Sequence, residues 1–289
     1  MNRIQLNAIQ QRFWMDNLLK YPTIEYNGTN CTFQVKGELD ISILKEAYKF
    51  IMLEYPPFHS TVQVMDGIPY FVWSDDLDYL PFQLVEEKGG ISEERINELL
   101  EALVYQPFDL EKEYPCRFYL IRGQNCYYLL HSIHHIAIDG ISIQTFFRRL
   151  SLVYNDLLNK TYTSVEQLSM LNQFNWDLGQ SLSRQKEQDR VYWKDYIQNI
   201  PLGLPVPRQA VKTNTLKEND FCYDFTLGST LYENLHKFCV EQKTSPFRVY
   251  STVWALALSR LLHEKELLID HTVNLRGKEY HDLFGVFVN

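Results

Sequence analysis

Residues 126–140 read Cys126-Tyr127-Tyr128-Leu129-Leu130-His131-Ser132-Ile133-His134-His135-Ile136-Ala137-Ile138-Asp139-Gly140. The first eight are rich in aromatic and apolar residues, as strands are. Gly123-Gln124-Asn125 ahead of them is a turn, and Arg117 to Arg122 is a second strand, so the two make a hairpin. After Gly140, residues Ile141, Ile143, Phe146, Phe147, Leu150, Val153 and Leu157 recur at helical spacing. Asp139 stands at the start of that helix, where a carboxylate caps free backbone N–H groups. The two histidines and the aspartate therefore sit on a strand–loop–helix corner.

Three readings compete for these side chains. In the first they are structural: buried imidazoles with satisfied ring nitrogens, and a helix cap. In the second they bind a metal, since His131, His135 and Asp139 fall at i, i+4 and i+8. That spacing aligns three ligands only on a helix, and the first half of this stretch is strand-like, which disfavours it. In the third they do acid–base chemistry. Adjacent strand residues face opposite sides, so one histidine faces a substrate cavity and its neighbour the core. Histidine titrates near neutral pH and suits that role.

Composition narrows the function classes. The chain has 289 residues, enough for one large domain or two small ones. Apolar residues are 45%, so a sizeable core forms and global disorder is excluded. The net charge of −8 argues against nucleic acid as partner. No apolar run reaches membrane-spanning length, and residues 1–7 lead into an amphipathic helix without a signal-peptide core. Cys31, Cys116, Cys126, Cys222 and Cys239 are scattered, without C-x-x-C spacing. They read as reduced thiols in a cytoplasmic protein, with neither a zinc site nor a disulfide framework.

Helix and strand signals alternate along the chain. Asn7 to Leu19 is helical, and Thr32 to Val35 is a strand. Asp40 caps a helix from Ile41 to about Glu54, which Pro56-Pro57 breaks. Ser60 to Met65 and Ile68 to Trp73 form a hairpin across Asp66-Gly67. Ser92 opens a helix to about Tyr105. Thr163 to Ile200 is polar and helical, with Trp176, Tyr192 and Trp193 as anchors. Pro201 to Asp220 is the linker candidate. Strands are predicted at Phe221–Leu227, Glu266–Val273 and Phe284–Asn289, and helices at Ser229–Glu241 and Pro246–Leu262. The order is α/β (α+β) with mixed sheets.

The H-H-x-x-x-D-G stretch resembles the motif of nonribosomal peptide synthetase condensation domains and their acyltransferase relatives. Gln10-Gln11-Arg12-Phe13-Trp14 is similar to the family's opening Q-x-R-x-W. Pro107-Phe108-Asp109-Leu110, with Pro115 and Arg117, is similar to its F-D-L…P…R segment. Tyr192-Trp193 resembles its Y-W pair, and Gly285-Val286-Phe287-Val288-Asn289 its G-x-F-V-N motif. The resemblance covers essentially the whole chain, with the motifs in the family's order. It departs at the second motif, usually R-H-x-x-L-R-T-x-F. Here Glu54-Tyr55-Pro56-Pro57-Phe58-His59-Ser60-Thr61-Val62 stands in that place, with Glu54 and His59 for the arginines. In the family an arginine there helps to hold the motif aspartate, so in this chain the support comes from elsewhere, with Arg276 as candidate.

The resemblance implies two chloramphenicol-acetyltransferase-like subdomains in a V arrangement, the second incomplete. Its expected boundaries are 1–165 for the first subdomain, 166–210 for an inter-subdomain helix and linker, and 211–289 for a partial second subdomain. The chain ends inside the G-x-F-V-N motif, which makes truncation the expectation. The family's activity is amide formation between acyl or aminoacyl groups carried as thioesters on peptidyl or acyl carrier proteins. Carrier proteins and neighbouring synthetase modules are the implied partners, with no nucleic acid, no membrane and no bound cofactor. His135 is the implied catalytic residue, with His134, Asp139 and Gly140 in support. His134 forms the wall beneath the site, Asp139 orders the loop, and Gly140 gives the turn room. The alternatives are a free-standing acyltransferase and an inactive remnant that docks a carrier protein.

Overall fold

The computed structural model describes residues 2–19, 28–86, 91–104, 106–165, 168–198, 200 and 225–288. The expected linker at 201–220, most of the strand expected at 221–227, and the side chain of Trp176 lie outside the described residues. The chain forms two compact units, residues 1–185 with 272–289, and residues 186–271.

The first unit begins with β1 (Asn2–Gln5), where the sequence predicts only a lead-in to the first helix. Asn7 then caps α1 (Ala8–Leu18), and Gln10 returns the contact to complete a capping box. Next come β2 (Gly28–Val35) and α2 (Ile41–Glu54). Asp40 caps α2 by accepting from Ser42 and Ile43 N–H at 2.9 and 3.0 Å. Its buried stripe is Leu44, Ala47, Tyr48, Ile51 and Met52, each a side chain whose burial is worth about 1.5–3 kcal/mol when large and apolar. Pro56-Pro57 ends the helix in a short 3-10 turn, Pro56–His59.

β3 (Thr61–Met65) and β4 (Ile68–Trp73) pair across Asp66 and Gly67, whose φ values of 52° and 78° are those of a tight hairpin turn. With β1 they make a three-stranded sheet in the order β1-β4-β3. A second sheet, β2-β7-β6-β5, contains β5 (Phe82–Val85), β6 (Cys116–Arg122) and β7 (Tyr127–His134). β6 and β7 are the expected hairpin, while β5 joins β6 in parallel. α3 (Glu93–Val104) packs Ile96 with Ile91 and Ile121 in a small cluster of its own. α4 (Gly140–Asn159) brings Phe146, Leu150 and Val153 into the main core beside Tyr48 and Phe118.

Residues 272–288 belong to this first unit. They contain no regular strand, contrary to the sequence prediction. Asn274 and Val288 form an isolated bridge, and Leu275 N–H donates to Phe287 C=O at 2.6 Å. Glu266–Val273 likewise has no strand among the described residues. These apolar runs pass the composition test for strands but have no ladder partner there.

In the second unit, α6 (Ser229–Glu241) is followed by α7 (Pro246–Leu262), which starts on a Ser245 cap with Pro246 in its first turn. α5 (Leu168–Ile197) supplies the unit's first residues. Tyr192 and Trp193, expected as anchors, are more than half exposed. Among the described residues no helix is long and apolar enough to cross a membrane.

Candidate active site

β7 ends between the two histidines. His134 is its last residue, and His135 opens a turn closed by Ala137 N–H donating to His134 C=O at 3.0 Å. The environments of the pair therefore separate because the strand stops, rather than by alternation within it. His134 is fully buried against Phe108, ring planes perpendicular and centroids 5.7 Å apart. Its Nδ1 accepts from Ile136 N–H at 3.1 Å, and its Nε2 has no partner among the described residues. Burial pushes its pKa down to about 3, so the ring is neutral.

His135 is half-buried and differently dressed. Phe13 of α1 stacks on it, centroids 5.6 Å apart and planes 17° from parallel. Thr29 Oγ1 of β2 lies 3.2 Å from each ring nitrogen. Nδ1 is 3.3 Å from Ile138 C=O, a contact in which Nδ1–H donates, so that the Nε2 lone pair accepts from the Thr29 hydroxyl. Burial lowers the His135 pKa, opposed by the Ile138 carbonyl and the Asp139 charge. A neutral imidazole with one nitrogen pinned and the other basic is arranged to take a proton.

Asp139 is buried and faces three sets of donors. Oδ1 accepts from Ser142 N–H at 2.8 Å, capping α4, and lies 3.4 Å from Arg276 Nη2. Oδ2 accepts from Phe287 N–H at 2.9 Å. Arg276 also donates to Ser142 Oγ at 2.6 Å and to the carbonyls of Tyr280 and Leu283, while its guanidinium lies 3.9 Å from the Phe287 ring centroid. Gly285 closes the arrangement. Its C=O accepts from Asp139 N–H at 3.0 Å and from Ser142 Oγ–H at 2.8 Å. Its φ is 152°, and a Cβ there would stand 2.8 Å from the Phe287 ring, so only glycine fits.

Removing the carboxylate strands the Arg276 charge and two backbone donors. Asp139→Ala is expected to cost about 3–5 kcal/mol in urea unfolding, as broken buried ion pairs do. Asp139→Asn keeps an acceptor for the α4 cap and should lose less. Equal midpoints for wild type and Asp139→Ala would refute the structural role.

Gly140 does not have the part the sequence assigned to it. It is the exposed first residue of α4, its φ is not positive, and a Cβ there meets nothing within 4 Å. The turn needs no glycine at this point. The metal constellation also fails to assemble. His131 Nε2 is hydrogen-bonded to Tyr48 Oη and Asp139 is committed to Arg276. Among the described residues no group of three or more His, Cys, Asp or Glu side chains is placed to hold a metal ion.

A family model described as "Condensation domain" matches residues 1–289. The chain belongs to the condensation-domain family. Among curated proteins it is 24% identical to polyketide synthase PksN of Bacillus subtilis, over 98% of the chain and 5% of that protein. It is 23% identical to bacitracin synthase 3 of Bacillus licheniformis, over 98% of the chain and 5% of that protein. The chain thus spans about a twentieth of these relatives. Among solved structures, the epimerization domain from the third module of tyrocidine synthetase B matches at a TM-score of 0.77. Its identity is 18%, over 99% of this chain and 66% of that one. The first condensation domain of the calcium-dependent antibiotic synthetase, in complex with a substrate analogue, matches at 0.76. Its identity is 18%, over 100% of this chain and 68% of that one.

Within this condensation domain the departures in the second motif have visible consequences. Glu54 is buried and paired with Arg149 of α4. His59 Nδ1 donates to Met52 C=O at 2.6 Å and is likewise buried, with no contact to Asp139. Phe13 was legible as part of the Q-x-R-x-W motif, but its stacking on His135 was not. Thr29 and Ser142 carried no sequence signal, because each meets its partner across more than a hundred positions.

Proposed function

We propose that this chain forms an amide bond between a donor acyl or aminoacyl group and an aminoacyl acceptor, both presented as carrier-protein thioesters. The observation that carries the reading is the His135 imidazole, with Nδ1 turned to Ile138 C=O and Nε2 left basic at an element edge. In the reaction the acceptor nitrogen attacks the donor thioester carbon. The C–N bond forms, the C–S bond breaks, and the proton leaving nitrogen passes to Nε2 and on to the departing thiolate. The relatives are large synthetases and synthases, which supports carrier proteins and neighbouring modules as partners. The free cysteines among the described residues suit a cytoplasmic setting.

The test supplies the chain with octanoyl- and L-alanyl-loaded carrier proteins and follows products by mass spectrometry. Octanoyl-alanyl thioester above the protein-free background is the expected result. Epimerized alanyl thioester without amide would overturn the proposal and favour the activity of the epimerization-domain relative. Unchanged substrates would also overturn it.

A further inference from the structure

The turn that presents His135 has its backbone polar groups held from several sides. Ile136 N–H donates to His134 Nδ1, Ala137 N–H to His134 C=O, and Asp139 N–H to Gly285 C=O. The Ile138 carbonyl accepts from His135 Nδ1, and that of Asp139 from Ile143 N–H at 3.1 Å. Of the remaining carbonyls, those of Ile136 and Ala137 are taken by side chains from distant helices. Gln10 Nε2 of α1 donates to Ile136 C=O at 3.1 Å. Tyr55 Oη, from the residue that ends α2, donates to Ala137 C=O at 3.1 Å.

Tyr55 is fixed before it reaches the turn. It is fully buried, with its ring near-perpendicular to Phe58 (centroids 4.8 Å apart) and to Phe284 (5.7 Å). Glu54, its neighbour, is paired with Arg149 and accepts from Tyr162 Oη at 3.0 Å and Val165 N–H at 3.1 Å. Tyr55 stands where the family's second motif has histidine, so this phenol is a departure from the pattern.

We propose that Tyr55 is a positioning residue for His135, holding the Ala137 carbonyl so that the turn presents the imidazole in one orientation. The inference rests on the reading of His135 as the group that takes the proton. Its physical basis is the peptide plane between Ala137 and Ile138. A buried carbonyl without a donor is costly, so the plane rotates to seek another. Rotation carries Ile138, whose own carbonyl pins His135 Nδ1. The imidazole then loses its fixed tautomer.

The experiment uses the whole chain with 15N-labelled histidine. Nitrogen shifts of His135, assigned from the His135→Gln spectrum, are followed against pH in wild type and Tyr55→Phe. The same proteins are assayed with octanoyl- and L-alanyl-loaded carriers. In Tyr55→Phe the Nδ1–H tautomer should become mixed and the His135 midpoint should fall, because the Ile138 carbonyl that opposes the effect of burial no longer holds Nδ1. The other titratable groups nearest the ring, His134 and Asp139, are unchanged in the variant. Turnover should fall about tenfold or more at constant KM, as misplaced reacting groups do. Tyr55→His is the second variant, since an imidazole there is too short to reach the Ala137 oxygen. An unmoved His135 titration in whichever variant folds overturns the inference. Amide formation that survives His135→Gln instead overturns the reading of His135 and leaves the titration result standing.

Discussion

Replacing His135 by alanine is expected to slow amide formation by about 10²-fold or more, the usual loss when a positioned acid–base group is removed. The neighbouring substitution should behave differently. His134 fills a closed space against Phe108 and accepts the Ile136 N–H, so His134→Ala leaves a cavity and an orphaned donor. Its cost should appear first in stability and only secondarily in the turnover of the folded fraction. The comparison is kcat for each variant, normalised to folded protein by circular dichroism. Equal losses of kcat in two fully folded variants would show that the end of β7 does not divide the pair into a reacting and a supporting histidine.

Acid should begin to destabilise this protein above the pH at which its carboxylates are protonated. His131 and His134 are both fully buried, and burial pushes each pKa from 6.5 down to about 3. Below pH 6.5 the unfolded chain takes up these protons while the folded chain refuses them until about pH 3. The unfolded state therefore binds more protons throughout that window, and stability falls as pH falls through it. At pH 4 the two groups together withdraw about 7 kcal/mol, comparable with the whole stability of an ordinary domain. The urea midpoint should be level above pH 7 and drop steeply between pH 6 and 4. His131→Gln, which cannot titrate, should flatten that slope even where it lowers the plateau. A midpoint independent of pH between 7 and 4 would mean that these imidazoles are not held neutral by burial.

The corner around the motif was legible because its signals are local. The aromatic run of β7, the turn at 123–125 and the periodic apolar residues of α4 each lie within one element. Arg276 was reached through the resemblance: the family's second motif supplies an arginine that this chain lacks, which left Arg276 as candidate, and its Nη2 lies 3.4 Å from Asp139. β1 and β5 were missed because each has only four residues. Such short strands exist through a partner, β1 against β4 and β5 beside β6, and a partner is not written in their own residues. The opposite error occurred at 266–273 and 284–288, where apolar composition predicts strands that find no ladder among the described residues. Tyr55 and Thr29 were unreadable for a related reason. Their contacts with the turn cross 82 and 106 positions, and nothing in either residue's neighbourhood announces them.

The contact between Phe287 N–H and Asp139 spans 148 positions, and that between Arg276 and Asp139 spans 137. On the ribosome, the histidines are made long before the residues that hold their aspartate. At 5–20 residues per second, about 7–30 s separate the synthesis of Asp139 from that of Phe287. Through that interval a carboxylate destined for burial has no arginine, and the turn that carries His135 has no Gly285 to accept from it. The candidate site is thus among the last parts of the first unit to be completed during translation, although its sequence motif lies near the middle of the chain.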